Sequence, residues 1–328
     1  MGNKSLEPAL ALAEEYQGRG VVIMHDGNII AERYWDDWNA ETGCIISSAT
    51  KSIVSVLVGM CLTEGTIESL DQPVADFIIK FKAKPRETIT IRHLLSMTSG
   101  LEKPALWRMR PGVVQNEREF AASLPLQHEP GSTWDYNTVA FRILFQIIQE
   151  ASGQTLAAYT RDKLFEPLGM TSSYWRTRQF SSVPSYLNLV CSARDIARFG
   201  LLVQQYGYWQ GQQLVRRDFI ETALQPSQPY NPNFGLLFWL NGPNRRLLPD
   251  CPVDTAIAMG ADDTRITIIP SLKLVVSRLG KRFTPPGELM KHEQGNSTGF
   301  HNTFMSMICE SVDNTASQQN SRHAGRLT

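Results

Sequence analysis

The sequence predicts an α/β (α+β) fold in which both ends of the chain complete one sheet domain and a helical domain is inserted between them. Three observations support this prediction. Short β-type segments flank an Asp-Gly turn within residues 21–31, and further β-type segments occupy residues 234–279. Between them, residues 91–211 show mainly the apolar spacing of helices. Strands at both ends with helices between them indicate that the two termini share a sheet.

The N-terminal part begins with an amphipathic helix predicted over residues 6–16. Residues 21–24 and 29–31 are apolar and flank His-Asp-Gly-Asn, which is typical of a β-hairpin. Residues 53–62 are then apolar at nearly every position, so a helix here is expected to be buried on all sides. Ser47 or Ser48 is predicted to cap its start, and Gly65 to end it.

The remaining elements follow from the same patterns. We predict helices over residues 91–96, 141–152, 156–165 and 193–205, and strands over residues 235–240, 255–259, 265–269 and 273–279. A closing helix is expected at residues 303–311. The predicted domains are a discontinuous α/β sheet domain at residues 1–75 and 226–312, an inserted helical domain at 76–225, and a disordered polar tail at 313–328.

Composition excludes several classes of function. Lysine plus arginine and aspartate plus glutamate both number 32, which gives no electrostatic reason to bind nucleic acid or an anionic membrane. The five cysteines, at positions 44, 61, 191, 251 and 309, form no metal-binding or disulfide pattern. No signal peptide or membrane span is visible. We therefore expect a cytoplasmic protein with a small-molecule partner; a leader removed from the chain would instead place it in the periplasm or outside the cell.

Ser48 and Lys51 form the first candidate catalytic pair, because residues three apart on a helix lie on the same face. A serine hydroxyl becomes a useful nucleophile when a base removes its proton, and a partly desolvated lysine can serve as that base. The spacing alone also arises by chance in a chain of this length. The pair therefore needs support from elsewhere in the sequence.

Two further clusters supply that support. Tyr136 stands before the helix predicted from residue 141, where its hydroxyl can act as a general acid or base, although packing at a domain boundary is the simpler explanation of this residue by itself. Gly260 lies between two predicted strands and allows close backbone approach to a ligand. The N–H groups of Ala261 and Ser48 would then form an oxyanion hole. Alone, this segment is an ordinary hairpin turn.

Ser48-Ala49-Thr50-Lys51, Tyr136-Asn137-Thr138 and Ala258-Met259-Gly260 occur in the order and rough spacing of the three motifs of the serine β-lactamase and penicillin-binding-protein superfamily. The sequence resembles its class C β-lactamase and esterase branch, which includes the 6-aminohexanoate-dimer hydrolases. The connecting segments at residues 65–74, 91–101, 165–170 and 192–200 share this resemblance. It implies an antiparallel sheet flanked by helices, an inserted all-helical domain and a reaction without metal or cofactor.

Two departures from the family pattern bear on the substrate. The third position of the second motif is Thr138 rather than asparagine, unless Asn137 takes that role. The third motif begins with Ala258 in place of a cationic lysine, which removes the charge expected to meet a β-lactam carboxylate. Asn137, Thr138, Ala258, Met259 and Gly260 are the predicted substrate-binding residues. Arg265 is a candidate replacement cation, at a strand register that the sequence does not define.

These residues predict a serine hydrolase that cleaves small esters or amides through an acyl-enzyme on Ser48, with Lys51 and Tyr136 sharing the proton transfers. Two alternatives stay open: a β-lactamase or D-alanyl peptidase-type activity, and a catalytically silent scaffold that keeps the fold for binding. His93 is expected to support its helix rather than the chemistry, and no histidine needs a catalytic role. The loops at residues 104–117 and 172–185 are predicted to shape the pocket.

Overall fold

A computed structural model describes residues 5–105, 116–178, 185–281 and 299–324 of the 328-residue chain. Its strands are β1 (Gly18–His25), β2 (Asn28–Tyr34), β3 (Gly43–Ile45), β4 (Tyr174–Arg178), β5 (Ser185–Ser192), β6 (Tyr208–Trp209), β7 (Gln212–Gln213), β8 (Trp239–Leu240), β9 (Ala256–Gly260), β10 (Thr264–Ile269) and β11 (Leu274–Gly280). Its α-helices are α1 (Glu7–Glu15), α2 (Thr50–Glu64), α3 (Ile91–Leu95), α4 (Glu117–Ala122), α5 (Ile143–Ser152), α6 (Leu156–Thr160), α7 (Glu166–Leu168), α8 (Ala193–Gln204), α9 (Arg217–Ala223) and α10 (Phe300–Ala324).

The central sheet joins the two ends of the chain, as predicted. Its six strands follow the order β2-β1-β11-β10-β9-β8, and the paired strands run antiparallel. The C-terminal strand β11 pairs with β1 from Gly18↔Gly280 to His25↔Leu274. The predicted fold class, a mixed α/β protein with an antiparallel sheet built from both termini, is therefore confirmed.

The first hairpin depends on its two turn residues. Asp26 and Gly27 both have positive φ angles, of 47° and 79°. Two consecutive residues with positive φ are the requirement of a type I′ turn, whose twist matches that of the flanking strands. The Asp-Gly pair thus fixes the β1–β2 register locally.

Helices cover both faces of the central sheet. On one face, α8 comes so close that a side-chain carbon on Gly200 would lie 2.5 Å from Val275 and 2.9 Å from Ile266. Neighbouring residues of a strand point to opposite faces, so Arg265 and Arg278 project from the other face. There Arg278 contacts the carbonyls at the end of α1, and Arg265 contacts α10.

The helix that follows the candidate nucleophile is buried along nearly its whole length. Residues 50–62, which make up most of α2, are all buried, as the dense apolar run predicts. The helix ends at Gly65 in the left-handed conformation, with a φ of 74°. The predicted serine cap is wrong: a 3-10 turn, Ser47–Ala49, precedes α2, and the residue at its N-cap is Ala49, with no side-chain cap hydrogen bond.

The inserted region is not all-helical. It contains α3 to α9, but β4 and β5 also lie within it and pair with β3 in a three-stranded sheet of order β3-β5-β4. The serine-rich composition of residues 172–185 favours the predicted loop, whereas the structure places β4 and the start of β5 in this range. In addition, α8 packs on the central sheet, so the predicted domain boundary at residue 225 does not separate sheet from helices.

Two other predictions differ from the structure. Of the strand predicted over residues 235–240, only Trp239–Leu240 forms, because the preceding residues are engaged in turn hydrogen bonds such as Gly235 N–H to the Phe238 carbonyl. The tail predicted as disordered continues α10 up to Ala324. Its last residues, 325–328, lie outside the described part of the chain, as do residues 106–115 and 179–184 of the predicted pocket loops.

Candidate active site

Ser48 lies in the short 3-10 turn between β3 and α2, and its side chain is half-buried. The residue before it, Ser47, has a φ of +49°, a left-handed conformation that costs a non-glycine residue free energy. Backbone strain of this kind is concentrated at functional sites. The turn therefore presents the hydroxyl of Ser48 at the end of a buried helix.

Lys51 is in the first turn of α2, on the same side as Ser48. Its Nζ lies 3.2 Å from Ser48 Oγ, and the residue is only 3% exposed. The rings of Tyr136 and Phe141 face the amine, with centroids 4.9 and 4.7 Å from Nζ. The structure thus brings together the serine and lysine that the spacing singled out, with two aromatic rings against the amine.

Tyr136 is the third predicted catalytic residue, and it is half-buried beside Lys51. Its ring stacks on Trp239 at a centroid distance of 5.9 Å and meets the edge of Phe234 at 6.2 Å. Trp134 packs on the same rings, 6.5 Å from Tyr136 and 5.5 Å from Phe234. We call Trp134, Phe234 and Trp239 the aromatic wall. No sequence pattern pointed to this wall, although Trp134 lies two residues before Tyr136.

Asn137 has a structural role in this arrangement. Its side-chain amide donates to the carbonyls of Leu101 and Glu102, at 3.1 and 2.9 Å. Its side-chain oxygen accepts the N–H groups of Val139 and Ala140. These four bonds use the full hydrogen-bonding capacity of the amide, so a substrate contact would have to displace one of them. Thr138, next to it, is half-buried.

Gly260 brings the end of β9 against the Ser48 turn. A side-chain carbon at this position would lie 2.1 Å from the Ile46 carbonyl oxygen and 3.2 Å from the Ala49 nitrogen. The close approach that the sequence predicted is therefore made to the protein's own backbone rather than to a ligand. Ala261 follows directly and is exposed. Its backbone amide therefore lies next to the point where Gly260 contacts the turn that carries Ser48.

The other two residues of the third motif, Ala258 and Met259, do not have side chains placed for contact with a substrate. Ala258 is completely buried. Met259 pairs with Arg265, and the alternation of the strand puts both on the face opposite Gly260. The structure therefore supports a contribution from the backbone around Gly260 and Ala261, and not from these two side chains.

Arg265 does not replace the missing cation of the third motif. It is 6% exposed and its Nε lies 2.7 Å from His301 Nε2, on the side of the sheet away from Ser48. Asp263 is within ion-pair distance of Arg265, Arg278 and His301. Its carboxylate pKa is held well below the usual range by these neighbours, against the opposing effect of burial. Sequence reasoning could not assemble this cluster, because its residues are brought together by sheet register and by α10.

Burial in this cluster also affects His301. Removal from water, together with the positive charge of Arg265, lowers the pKa of His301 to about 4. The imidazole is therefore neutral at pH 7. His93, in contrast, has the expected helix-supporting role: its Nδ1 accepts the Thr90 N–H at 3.1 Å in a capping box of α3.

Within the described residues, no group of three or more His, Cys, Asp or Glu side chains is arranged to hold a metal ion. None of the helices in this part of the chain has both the length and the apolar character needed to cross a membrane.

Comparisons with known proteins agree with this architecture. The chain is 24% identical over 305 residues to an uncharacterized protein of Alkalihalophilus pseudofirmus, a match covering 82% of this chain and 85% of that one. It is 32% identical over 147 residues to Esterase EstB of Burkholderia gladioli, covering 38% of this chain and 36% of the esterase. The alignment with the esterase thus spans little more than a third of either protein.

Solved structures share the fold. The "Putative 6-aminohexanoate-dimer hydrolase from Bacillus anthracis" superposes with a TM-score of 0.75 and 19% identity, over 93% of this chain and 82% of that one. The model of the family described as Beta-lactamase matches residues 9–293. This range includes Ser48, Lys51, Tyr136 and Gly260 and most of the chain, and it confirms the resemblance inferred from the motifs. The chain belongs to the beta-lactamase family.

Proposed function

We propose that the protein is a serine hydrolase that cleaves small esters or amides through an acyl-enzyme on Ser48. The observation that carries the proposal is the 3.2 Å contact between Lys51 Nζ and Ser48 Oγ in a buried setting. Burial disfavours the charged form of an amine, and a neutral amine at this distance can accept the serine proton. Membership of the beta-lactamase family and the similarity to Esterase EstB point in the same direction.

The reaction follows from the positions of these groups. Ser48 Oγ attacks the substrate carbonyl carbon while its proton passes to the Lys51 amine. The carbonyl oxygen, now negative, accepts hydrogen bonds from the backbone N–H groups of Ser48 and Ala261. Lys51 and Tyr136 return the proton to the departing alcohol or amine, and the acyl group stays on Ser48. Water then attacks the acyl-enzyme by the same proton route and releases the acid. Apart from the substrate and water, these steps use groups of the protein.

The choice of substrate class rests on charge. Ala258 carries no cation, and Arg265 is held on the opposite face of the sheet by His301 and Asp263. A charge-assisted hydrogen bond contributes about 1.5–3 kcal/mol, so its loss weakens recognition of a β-lactam carboxylate by one to two powers of ten. Uncharged substrates are thus favoured. Among these, esters react more readily than amides because alkoxide leaves more easily than amine.

A β-lactamase or D-alanyl peptidase-type activity is the second candidate. It is favoured by the similarity to the "Putative penicillin-binding protein PbpX" of Bacillus subtilis, which is 25% identical over 170 residues, covering 51% of this chain and 42% of that one. Incubation with benzylpenicillin separates the two candidates. Rapid acylation of Ser48, detected by intact mass, with turnover equal to that of simple esters would refute the proposed substrate class.

The central test is labelling by a fluorophosphonate probe, followed by intact mass, on the wild-type protein and on Ser48→Ala. We expect one adduct on the wild type and none on the variant, because the probe reacts with activated serines. A folded wild-type protein that takes no label would instead favour the third possibility, a catalytically silent scaffold. The cytoplasm stays our proposed location, and small esters or amides the proposed partners.

A further inference from the structure

Ser52 connects α2, the helix that carries Lys51, to the segment around Leu237, which is far away in the sequence. It follows Lys51 in α2 and is 1% exposed. Its hydroxyl donates a 2.6 Å hydrogen bond to the carbonyl oxygen of Leu237. The two residues are 185 positions apart in the chain. A short hydrogen bond between two buried groups fixes the distance between the segments that carry them.

The backbone of Leu237 needs such a restraint. Leu237 has a φ of +62° and is 3% exposed. A left-handed conformation is unfavourable for a residue with a branched side chain, and it persists only where surrounding contacts impose it. The Ser52 hydroxyl is one of those contacts. Leu236 supplies another, since its N–H donates to the Ala223 carbonyl at 3.1 Å.

The segment held in this way carries two of the three members of the aromatic wall. Phe234 lies three residues before Leu237, and Trp239 lies two residues after it. Both rings contact Tyr136, whose ring faces the Lys51 amine. A shift of the Leu237 backbone would therefore move the surface against which Tyr136 packs.

We infer that Ser52 is a positioning residue of the active site: it holds the buried rings of Phe234 and Trp239 against Trp134 and Tyr136, so that these two half-buried rings receive a flat, apolar group of the substrate. The inference rests on the proposed function, because it assigns a substrate class to the same Ser48 site. The rings are uncharged and pack edge-on and stacked, and position 258 carries no cation. Such a surface is suited to an aromatic or otherwise planar apolar group.

Ser55 provides a matched control on the same helix. It is completely buried, and its hydroxyl oxygen has no hydrogen-bond partner among the described residues. Ser52→Ala and Ser55→Ala thus each remove one buried hydroxyl from α2. Only the first removes a bond to the loop that carries the wall.

The test compares two sulfonyl fluorides that differ by one phenyl ring, phenylmethanesulfonyl fluoride and methanesulfonyl fluoride. In each reaction Ser48 Oγ forms a bond to sulfur, fluoride leaves, and the serine proton is taken up by the proton-transfer groups and then by solvent. Intact mass measures the adduct and gives a second-order rate constant for each reagent. The phenyl-to-methyl ratio of these rate constants is divided by the same ratio of the reagents' hydrolysis rates in water. The result is the preference of the protein for the ring. Because it is a ratio within one protein sample, it is independent of the fraction that is active.

We expect the wild type to prefer the phenyl reagent, Ser52→Ala to lose about three- to tenfold of that preference, and Ser55→Ala to stay within about twofold of the wild type. Equal ratios in the two variants, or a wild type without preference for the ring, would overturn the inference while leaving a labelled Ser48 and the proposed function intact. Failure of the sulfonyl fluorides and of the fluorophosphonate to label Ser48 in the folded wild type would overturn the proposed function, and the inference with it.

Discussion

At the scale of single residues, the site combines a strained turn, which carries the proposed nucleophile Ser48, with the buried amine of Lys51. The positive φ of Ser47 and the 3% exposure of Lys51 are both unfavourable for stability when considered alone. Both become understandable if they place the Ser48 hydroxyl and the Lys51 amine within reach of each other. Stability and activity should therefore respond in opposite directions when the amine is removed.

Lys51→Met tests this opposition, because methionine keeps an unbranched side chain of similar length and removes the amine. We expect the rate of fluorophosphonate labelling to fall at least about 100-fold, the range in which a positioned acid or base contributes. Thermal unfolding is expected to shift little or upward, since a buried polar group is lost. Lys273→Met, on an exposed turn, is the control. Labelling of Lys51→Met at the wild-type rate would exclude lysine as the base.

His301 provides a second prediction at this scale. Its pKa is lowered to about 4 in the folded protein by burial and by Arg265, whereas an unperturbed histidine titrates near 6.5. Between pH 6.5 and 4 the unfolded chain binds a proton that the folded protein does not, so stability falls as the pH falls through this window and this contribution levels off below pH 4. The lowered pKa of Asp263 adds a loss in the same direction at still lower pH.

Replacing His301 by glutamine removes its titration. The free energy of unfolding, measured with urea at several pH values, should then decline less between pH 6.5 and 4, by about 3 kcal/mol. His128→Gln, at an exposed position, is the control variant. An unchanged slope in His301→Gln would show that another group controls acid stability.

At the scale of secondary-structure elements, β9 packs against the Ser48 turn with no room for a side chain between the two backbones. The backbones meet at Gly260, where even one added carbon would lie 2.1 Å from the Ile46 carbonyl oxygen. Such a distance forces either the strand or the turn to move. The strand end and the turn each carry a proposed oxyanion donor. The contact that stabilises the fold therefore also sets the positions of these two donors.

Gly260→Ala should therefore destabilise the protein by more than about 2 kcal/mol and abolish labelling of Ser48 in the fraction that stays folded. Gly65→Ala is a suitable comparison, because Gly65 has a φ of 74° and nothing within 4 Å of the added carbon. It should cost only about 1 kcal/mol, the strain of a left-handed alanine. Thermal unfolding and probe labelling of both variants would distinguish them. Equal behaviour would contradict the role given to the close contact.

At the scale of the whole molecule, α10 covers the face of the sheet opposite the active site. Its first turns bury Phe304, Met305 and Ile308 and place His301 next to the charges on β10 and β11. Tyr16, just after α1, stacks on Phe300 with centroids 4.4 Å apart. The C-terminal helix thus connects the two chain ends across the central sheet.

A chain ending at residue 298 should lose the burial of these three side chains, at about 2 kcal/mol each. The total approaches the net stability of a typical domain, so we expect an unfolded or aggregated product. A chain ending at residue 312 keeps them and should unfold within a few degrees of the full-length protein. Circular dichroism melts of the two truncations provide the measurement. Cooperative unfolding of the shorter chain at the full-length temperature would be inconsistent with this role of α10.

The sequence by itself determined the features that depend on short spacing. The spacing of three positions from Ser48 to Lys51 brings their side chains together at the start of α2, an Asp-Gly pair sets the first turn, and apolar runs mark the strands at both ends. The motif order was sufficient to identify the family. These signals are local, so the physics that produces them is contained in a few neighbouring residues.

Only the tertiary structure decided which groups meet across the chain. Arg265 could have faced the substrate, but strand register turns it to the opposite side, toward His301. Asn137 looked available for substrate, yet its amide is used by four backbone groups. The contact of Gly260 with Ile46 and the bond from Ser52 to Leu237 likewise join segments far apart in sequence. A one-residue change in register reverses the face of every side chain in a strand, and nothing in the local sequence records the outcome.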